Sequence, residues 1–502
     1  MTEESSINLT RTLYSLAFLL FALRFLWLGD TVYILDEAFI QMRIDEHFAA
    51  GTIPLSNSRG SSIPLPYGPG AQWFYMLLRL FTWHPVALAF AHLTVQTMGV
   101  FLFLRAITKA YGREAGAWCA LLLASSPILF FYARHTWDNT LLIPLGALII
   151  WLLQKLRAGG HEFALHAALG CAAGYALNIH LMFGPAALAL GVTLLLIDFR
   201  KYRWKKWRPW ALTLTFGCGA LLVLAPYLIE ATRIVLAEKP FEHARNESHW
   251  GDGRHVWWLF LRTALHSSLF AARAQLDDVR EQFFPYAGSF ISFFYKKDFF
   301  GWFGKIAAWG GALAVLFNLC RLRVTDDALR LYAALAFFFM ILVNEYLNIP
   351  MAAHYFHPVW WFVFLGVAFA ITGLRGWWKR LFLLSIACCI AVNVSYIVLA
   401  MAYIHENKGA RNMETSVVVS EQMRNLRELC AWGTGKGRTE VRVFKDAIMG
   451  EPAFDFLPKH MPECQGISVR LVPALSGADF HLHHPLDSIT SAALVADPTA
   501  KP

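Results

Sequence analysis

Long apolar stretches recur along the chain and constrain its fold more than any other feature. A helix needs about 20 apolar residues to cross a bilayer, and hydrophobic residues make up 57% of the 502 residues. Only 16% are charged, whereas a soluble domain carries about 25%. We therefore predict an all-α polytopic membrane protein with about eleven transmembrane helices. The predicted spans lie near 12–28, 85–104, 115–133, 140–154, 165–181, 183–199, 210–229, 300–320, 329–347, 354–373 and 381–403.

The distribution of positive charge predicts the orientation of these spans. The net charge is +9, and Lys and Arg concentrate in short loops on one side, most clearly in RKYRWKKWR at 200–208. Arg134 is the basic residue of the three short loops on the other side. By the positive-inside rule the N-terminus is cytoplasmic and the C-terminus extracytoplasmic. Because the sequence has no basic tail or recognition motif, no nucleic-acid partner is expected.

Three segments are predicted on the extracytoplasmic side. Two are loops, at about 29–84 and 230–299, within a transmembrane domain of residues 1–403. The third, 404–502, is predicted to be a small α/β domain, because SVVVS, TEVRVF and ISVRLV alternate like half-buried strands and SEQMRNLRELCAW has helical spacing.

Two of the cysteines, Cys430 and Cys464, belong to this C-terminal segment. In an oxidising compartment they would form a disulfide, and otherwise they are two buried thiols. The sequence leaves both alternatives open.

Acidic residues follow the first span directly, in YILDEAFIQMRIDEH at 33–47. A carboxylate near lipid is costly unless water, a cation or a reaction accounts for it. The pattern predicts a helix from Asp36 to Ala50, and AQWFYMLLRLF at 71–81 predicts a second, amphipathic helix. Asp36 is either a helix cap or a catalytic carboxylate. Glu37 either assists Asp36 in the active site or is simply solvated. The remaining acids, Asp45 and Glu46, are predicted on a solvated face of the helix.

A second acid, Asp138, is predicted at the same membrane edge. It either caps the next helix and pairs with Arg134, or it is an active-site carboxylate that orients the acceptor or binds a cation. In the latter case Arg134 would be available to a phosphate. His354 and His357 are spaced to share a helix face, so with Asp138 they are a candidate site for a divalent metal ion. The alternative is a structural pair of histidines.

Other polar residues on this side are candidates for substrate binding. Arg254 and Arg262 of the second loop have guanidinium groups that match phosphate oxygens, although anchoring to membrane lipid headgroups is the alternative. Asn178 and His180 lie at an outer turn between two spans and are candidate pocket residues.

The order of these motifs resembles the membrane-embedded GT-C glycosyltransferases, in the group of protein O-mannosyltransferases and the lipid A aminoarabinose transferase. The motifs are Asp36-Glu37 after the first span, PLPYGPGAQWFYML, LLASSPILFFYARHTWDNTLL and AAHYFHPVWWFVFLG. His354-Tyr355 stands where the family has Arg-Tyr, and Asn178 and His180 replace a family lysine.

The resemblance implies that Asp36 is catalytic and that the donor is a sugar on a polyprenyl phosphate. It implies an acceptor that is a lipid, glycan or protein, and a location in the bacterial inner membrane. We therefore expect an inverting glycosyltransferase.

A transporter or flippase is the alternative, because many spans would serve it equally. Secondary transporters often carry inverted repeats and midplane polar residues, and neither is evident in this sequence. A non-enzymatic scaffold acting through the C-terminal segment is a third interpretation.

Overall fold

A computed structural model describes residues 3–31, 33, 35–57, 66–203, 205–238, 327–347, 360–408, 418–445, 451–472, 479–483 and 493–496. The helices are α1 Glu3–Leu23, α2 Leu35–Ala50, α3 Gly70–Arg79, α4 Pro85–Ala124, α5 Pro127–Tyr132, α6 Leu142–Arg157, α7 Glu162–Ile179, α8 Gly184–Tyr202, α9 Trp207–Glu238, α10 Ala328–Leu347, α11 Trp360–Gly373, α12 Gly376–Asn407, α13 Val419–Gly435 and α14 Glu451–His460. The strands are β1 Glu440–Lys445, β2 Ser468–Val472, β3 Phe480–His483 and β4 Ala493–Ala496.

Several helices have the length and hydropathy of membrane spans. Within the described ranges, five helices are long and apolar enough to cross a bilayer: Pro85–Ala124, Asn139–Arg157, Leu181–Tyr202, Trp207–Ala237 and Gly376–Asn407. Three shorter apolar helices are Ile7–Leu23, Ala328–Met340 and Trp360–Gly373. The span predicted at 300–320 lies outside the described residues, so the total of about eleven spans stays a prediction.

Helix α4 is interrupted where the sequence predicts a connection between two spans. Gly112 has φ 90° and ψ 168°, a conformation that glycine adopts without a steric penalty. A Cβ on Gly116 would lie 2.2 Å from the Thr108 hydroxyl oxygen, whereas residues eight apart in a continuous helix are about 12 Å apart. This close approach shows that the chain folds back at Gly112. The two arms of α4 therefore form a hairpin around one residue.

Small residues allow α7 and α9 to pack closely. Gly170 and Gly174, one turn apart on α7, lie where an added Cβ would stand 2.1 Å from the carbonyl oxygen of Phe216 and 2.5 Å from that of Ala220. Glycines at this spacing are typical of helix pairs in membranes, where packing replaces the hydrophobic effect as the driving force.

The Pro-rich link that precedes α3 lies against α7 and α9. The Tyr175 hydroxyl donates to the Gly70 carbonyl at 2.8 Å, and the Tyr227 hydroxyl donates to the Pro66 carbonyl at the same distance. Gly68 approaches Asn178 so closely that an added Cβ would lie 2.0 Å from its Oδ1. The start of α3 is therefore fixed on the transmembrane helices.

The C-terminal segment contains a four-stranded sheet in the order β2-β1-β3-β4. Strand β1 is parallel to β2 and β3, and β4 is antiparallel to β3. Two of the predicted strands are confirmed, since TEVRVF contains the start of β1 and ISVRLV contains β2. Cys430 of α13 and Cys464 form a disulfide, which decides between the two alternatives for these cysteines.

The strand predicted in SVVVS is wrong where the structure describes it. Val419 and Ser420 lie in the first turn of α13, and only Val418 makes an isolated strand-type bridge. Val418 and Val419 are both buried, and the Val419 amide donates to the Thr31 carbonyl at 2.9 Å. The apolar run therefore anchors the start of a helix against the first loop.

The C-terminal segment shares an apolar core with the first loop. Tyr33 and Ala38 pack in one cluster with Met423, Leu426 and Phe456. At the edge of this cluster the Asp45 carboxylate meets two partners, Arg79 Nη2 at 2.5 Å and His460 Nε2 at 2.7 Å. These contacts join α2, α3 and α14.

The prediction that Asp45 lies on a solvated face is therefore wrong, whereas its neighbour Glu46 is exposed as expected. Burial by itself would raise the pKa of Asp45. The hydrogen bond from His460 and the charge of Arg79 outweigh burial and hold this pKa below its ordinary value.

Substitution Asp45→Asn tests this junction. We expect it to reduce the free energy of unfolding by about 1–2 kcal/mol, because Arg79 and His460 would lose their ionised partner in a half-buried network. The lowered pKa adds a pH signature: the stabilisation is complete above the unfolded-state pKa of about 3.9 and is lost as pH falls through the folded value. Thermal unfolding in detergent measures both effects, with Glu46→Gln as the control. Equal Tm values for the two variants would contradict the assignment.

Substitution Gly68→Ala tests the packing of the Pro-rich link. The added methyl group overlaps Asn178, so we expect a loss of about 1–3 kcal/mol of stability, as for other overpacked sites. Gly184→Ala is the matched control, because its Cβ meets nothing within 4 Å. Thermal unfolding of both variants gives the comparison, and an unchanged Tm for Gly68→Ala would show that the link is not held there.

Candidate active site

Three carboxylates lie close to the start of α2. Asp36 and Glu37 occupy the first turn of α2, where the positive end of the helix dipole favours acids. Asp138 caps the 3-10 turn Asn139–Leu141, and its Oδ1 accepts the Asn139 amide at 2.7 Å. Asp36 is exposed, whereas Glu37 and Asp138 are buried. The charges of Asp36 and Glu37 both act on the Asp138 carboxyl, so the predicted acids of the two segments lie in one neighbourhood.

The environment of Asp138 perturbs its ionisation strongly. Burial, followed by the charges of Asp36 and Glu37, raises the pKa of the Asp138 carboxyl from 3.8 to about 7. The amide of Asn139 acts in the opposite direction but does not cancel these effects. A carboxyl that titrates near neutral pH is suited to proton transfer or to binding a cation.

His135 is a site residue that the sequence interpretation missed. Its Nδ1 lies 3.5 Å from Glu37 Oε1, and both side chains are buried. The contact ties the start of α2 to the turn that carries Asp138. The available signal was the motif RHTWDN, in which His135 lies beside the predicted Arg134.

Arg134 lies beside this site but faces the end of the first helix. It is buried, and its Nη2 donates to the Trp27 carbonyl at 2.6 Å. Trp27 has a φ of 51°, which is uncommon for a large side chain, and its ring stacks on His405 at 4.1 Å. His405 in turn contacts Asp30 at 2.7 Å. Arg134 thus holds the turn that leads into α2, and its predicted contact with phosphate stays a prediction.

Asn178 and His180 lie beneath the Pro-rich link. Asn178 Nδ2 donates to the Val223 carbonyl at 3.3 Å, while His180 Nδ1 accepts the Met182 amide at 3.2 Å. The Tyr67 ring lies 4.3 Å from the His180 ring. Both side chains are buried, so these contacts hold the link that leads to α3, and their predicted role in a substrate pocket stays a prediction.

The remaining predicted residues lie outside the described ranges, namely Arg254, Arg262, His354, Tyr355 and His357. The candidate metal site of Asp138 with His354 and His357 therefore stays a prediction. Within the described ranges no group of three or more His, Cys, Asp or Glu side chains is placed to hold a metal ion.

Comparison with known proteins identifies the fold. No family model and no curated protein matches the chain. Among solved structures, ArnT from Cupriavidus metallidurans in the apo state is similar over 94% of this chain and 87% of that chain, with 13% identity and a TM-score of 0.51. ArnT from the same organism bound to undecaprenyl phosphate gives the same coverage and identity with a TM-score of 0.47.

An identity of 13% limits the first of these likenesses to the fold. The fold is nevertheless the one that the motifs predict. The chain has the GT-C fold of ArnT.

Proposed function

We propose that the protein is an integral-membrane inverting glycosyltransferase, which moves a sugar from a polyprenyl-phosphate donor to an extracytoplasmic lipid, glycan or protein acceptor. The observation that carries the proposal is the proximity of Asp36, Glu37 and Asp138 near the start of α2. The GT-C fold and the order of the sequence motifs support it.

Asp36 is the proposed general base. It is exposed, so a substrate can reach it, and a carboxylate held within about 3 Å of an acceptor hydroxyl or amine can take its proton. The acceptor atom then attacks the anomeric carbon. The bond from this carbon to the phosphate oxygen breaks, and its electron pair leaves with the polyprenyl phosphate. A single displacement of this kind inverts the anomeric configuration.

Asp138 has a different role in this mechanism. Positive charge develops on the sugar ring as the bond to phosphate breaks, as in other glycosyl transfers. An ionised carboxylate in a buried site stabilises such charge more strongly than one in water. Asp138 would therefore stabilise the transition state, while Glu37 and His135 hold α2 against its turn.

The leaving phosphate requires cationic partners, and we propose Arg254 and Arg262 for this role. Tyr355 is a further proposed substrate-binding residue. A divalent ion at Asp138, His354 and His357 would serve the same purpose by neutralising the phosphate oxygens. The polyprenyl chain would remain among the membrane lipids. We further propose that the site faces the periplasm and that residues 404–502 form a small extracytoplasmic domain that packs on the first loop.

Substitution Asp36→Asn tests the proposed base. We expect transfer of labelled sugar from polyprenyl phosphate to fall at least about 100-fold, because a general base contributes factors of about 10²–10⁴. The assay uses purified protein with a membrane extract as acceptor. Glu46→Gln, an exposed acid on the same helix, is the control and should retain wild-type activity.

Full activity of Asp36→Asn would refute the mechanism. Absence of transfer by the wild-type protein across several donor sugars, together with movement of the labelled lipid across vesicles, would instead support a flippase.

The pKa of Asp138 predicts a pH dependence for both activity and stability. Activity should fall as pH decreases through about 7, because Asp138 becomes neutral. Stability should change in the opposite sense. The folded-state pKa lies above the unfolded value, so the folded protein loses stability as pH rises from about 4 to 7. Asp138→Asn should therefore lower transfer at pH 8 about tenfold or more and raise the Tm at that pH. A lower Tm at pH 8 would show that the Asp138 charge stabilises the fold.

A further inference from the structure

A buried polar chain lies next to the turn that carries Asp138. His92 of α4 is fully buried together with Tyr75, Gln96 and Thr140. Buried polar groups cost free energy unless they are hydrogen-bonded. Each of these four side chains has a polar partner within the group or on the neighbouring turn, so the group forms one network.

The distances define how the network is connected. His92 Nδ1 lies 3.0 Å from the Tyr75 hydroxyl oxygen, and His92 Nε2 lies 2.9 Å from Gln96 Nε2 and 3.0 Å from the Thr140 hydroxyl oxygen. Gln96 Nε2 also lies 2.7 Å from the Thr140 carbonyl oxygen. His92 thus connects α3 on one side with α4 on the other and, through Gln96, with the 3-10 turn Asn139–Leu141.

These contacts assign the protonation state of His92. The amide nitrogen of Gln96 must face the Thr140 carbonyl, because an amide oxygen there would oppose another oxygen. The same NH₂ group then donates to His92 Nε2, which must therefore carry no proton. Because the Thr140 hydroxyl proton is donated to the Trp137 carbonyl at 2.6 Å, the 3.0 Å approach of this hydroxyl to Nε2 is a contact without a hydrogen bond. The proton of the neutral ring is on Nδ1, from which it donates to Tyr75.

Both ends of the network terminate on the turn that carries Asp138. The Tyr75 hydroxyl donates to the Trp137 carbonyl at 3.4 Å, and the Thr140 hydroxyl donates to the same carbonyl at 2.6 Å. Trp137 precedes Asp138 directly. The two donors therefore hold the carbonyl of the residue directly before Asp138.

We propose that His92, as the neutral Nδ1–H tautomer, is a positioning residue that fixes the turn from Trp137 to Thr140 and thereby the Asp138 carboxylate. The expected effect of His92 on the rate of transfer rests on the proposed function. Its effect on the position of Asp138 is a property of the fold and does not depend on that function. The rate and the environment of Asp138 can therefore be measured separately.

Substitution His92→Phe removes both ring nitrogens and keeps most of the ring volume. We expect kcat per folded molecule to fall about tenfold to 100-fold, as for a misplaced catalytic group, with KM for the donor within about twofold of wild type. His92→Asn keeps a donor toward Tyr75 and should recover most of the loss. The control is Thr94→Val, which removes a hydroxyl that bonds within α4 and should leave kcat unchanged.

A second readout does not require activity. The carboxyl stretch of protonated Asp138 can be followed by infrared difference spectroscopy against Asp138→Asn, as a function of pH. In His92→Phe the midpoint should differ from the wild-type midpoint, because the burial of Asp138 and its distances to neighbouring charges change with its position. The shift would support the inference even if no glycosyl transfer were found, so failure of the proposed function is distinguishable.

An unchanged midpoint together with an unchanged kcat would overturn the inference. A lower Tm with both quantities unchanged would also overturn it, because His92 would then stabilise the fold without positioning Asp138. If His92→Phe does not fold, Tyr75→Phe decides by the same two measurements. In a folded double variant, the losses should be less than additive, since both residues act through the Trp137 carbonyl.

Discussion

Helix α2 belongs to two apolar cores, and the geometry of the site depends on this double attachment. Ile40 and Ile44 are buried in the core of the transmembrane helices, while Ala38 is buried in the core of the C-terminal segment. Burial of each large side chain contributes about 1.5–3 kcal/mol. At about 100° per residue, Ala38 lies about 200° around the helix from Ile40, so the two cores hold opposite faces of α2. Because both faces are held, the first turn of α2 presents its carboxylates in one orientation.

The gathered acids are unfavourable for folding and favourable for chemistry. The ionised form of Asp138 would be more stable in water than in this buried position, and the charges of Asp36 and Glu37 raise its pKa further. Helix dipoles and the contact of His135 with Glu37 offset part of this cost. A site that keeps an unfavourable charge near neutral pH is typical of catalytic machinery. The surrounding buried amides and hydroxyls show how a membrane protein can hold such a group without exposing it.

The sequence predicts those features that depend on local pattern. Apolar periodicity places α2 and α3 within a few residues of their observed bounds, and alternation places β1 and β2. It does not reveal partners distant in the chain, so Asp45, paired with Arg79 and His460, is mistaken for a solvated residue. His135 was missed for the same reason, because its partner Glu37 lies on another element. Alternation also misleads in SVVVS, where apolar side chains serve burial at a helix start.

The hairpin at Gly112 has a consequence for helix register. Gly112 alone has a non-helical conformation between the two arms of α4. The rotation of the second arm about its axis is therefore set by the rotation of the first arm and by the dihedral angles of this one residue. An α-helix turns by about 100° per residue. One residue inserted or deleted beside Gly112 would therefore rotate the arm that leads through Ala124 into α5 and the turn beyond it. The orientation of the turn that carries Asp138 therefore depends on the number of residues at Gly112, at the opposite end of the second arm.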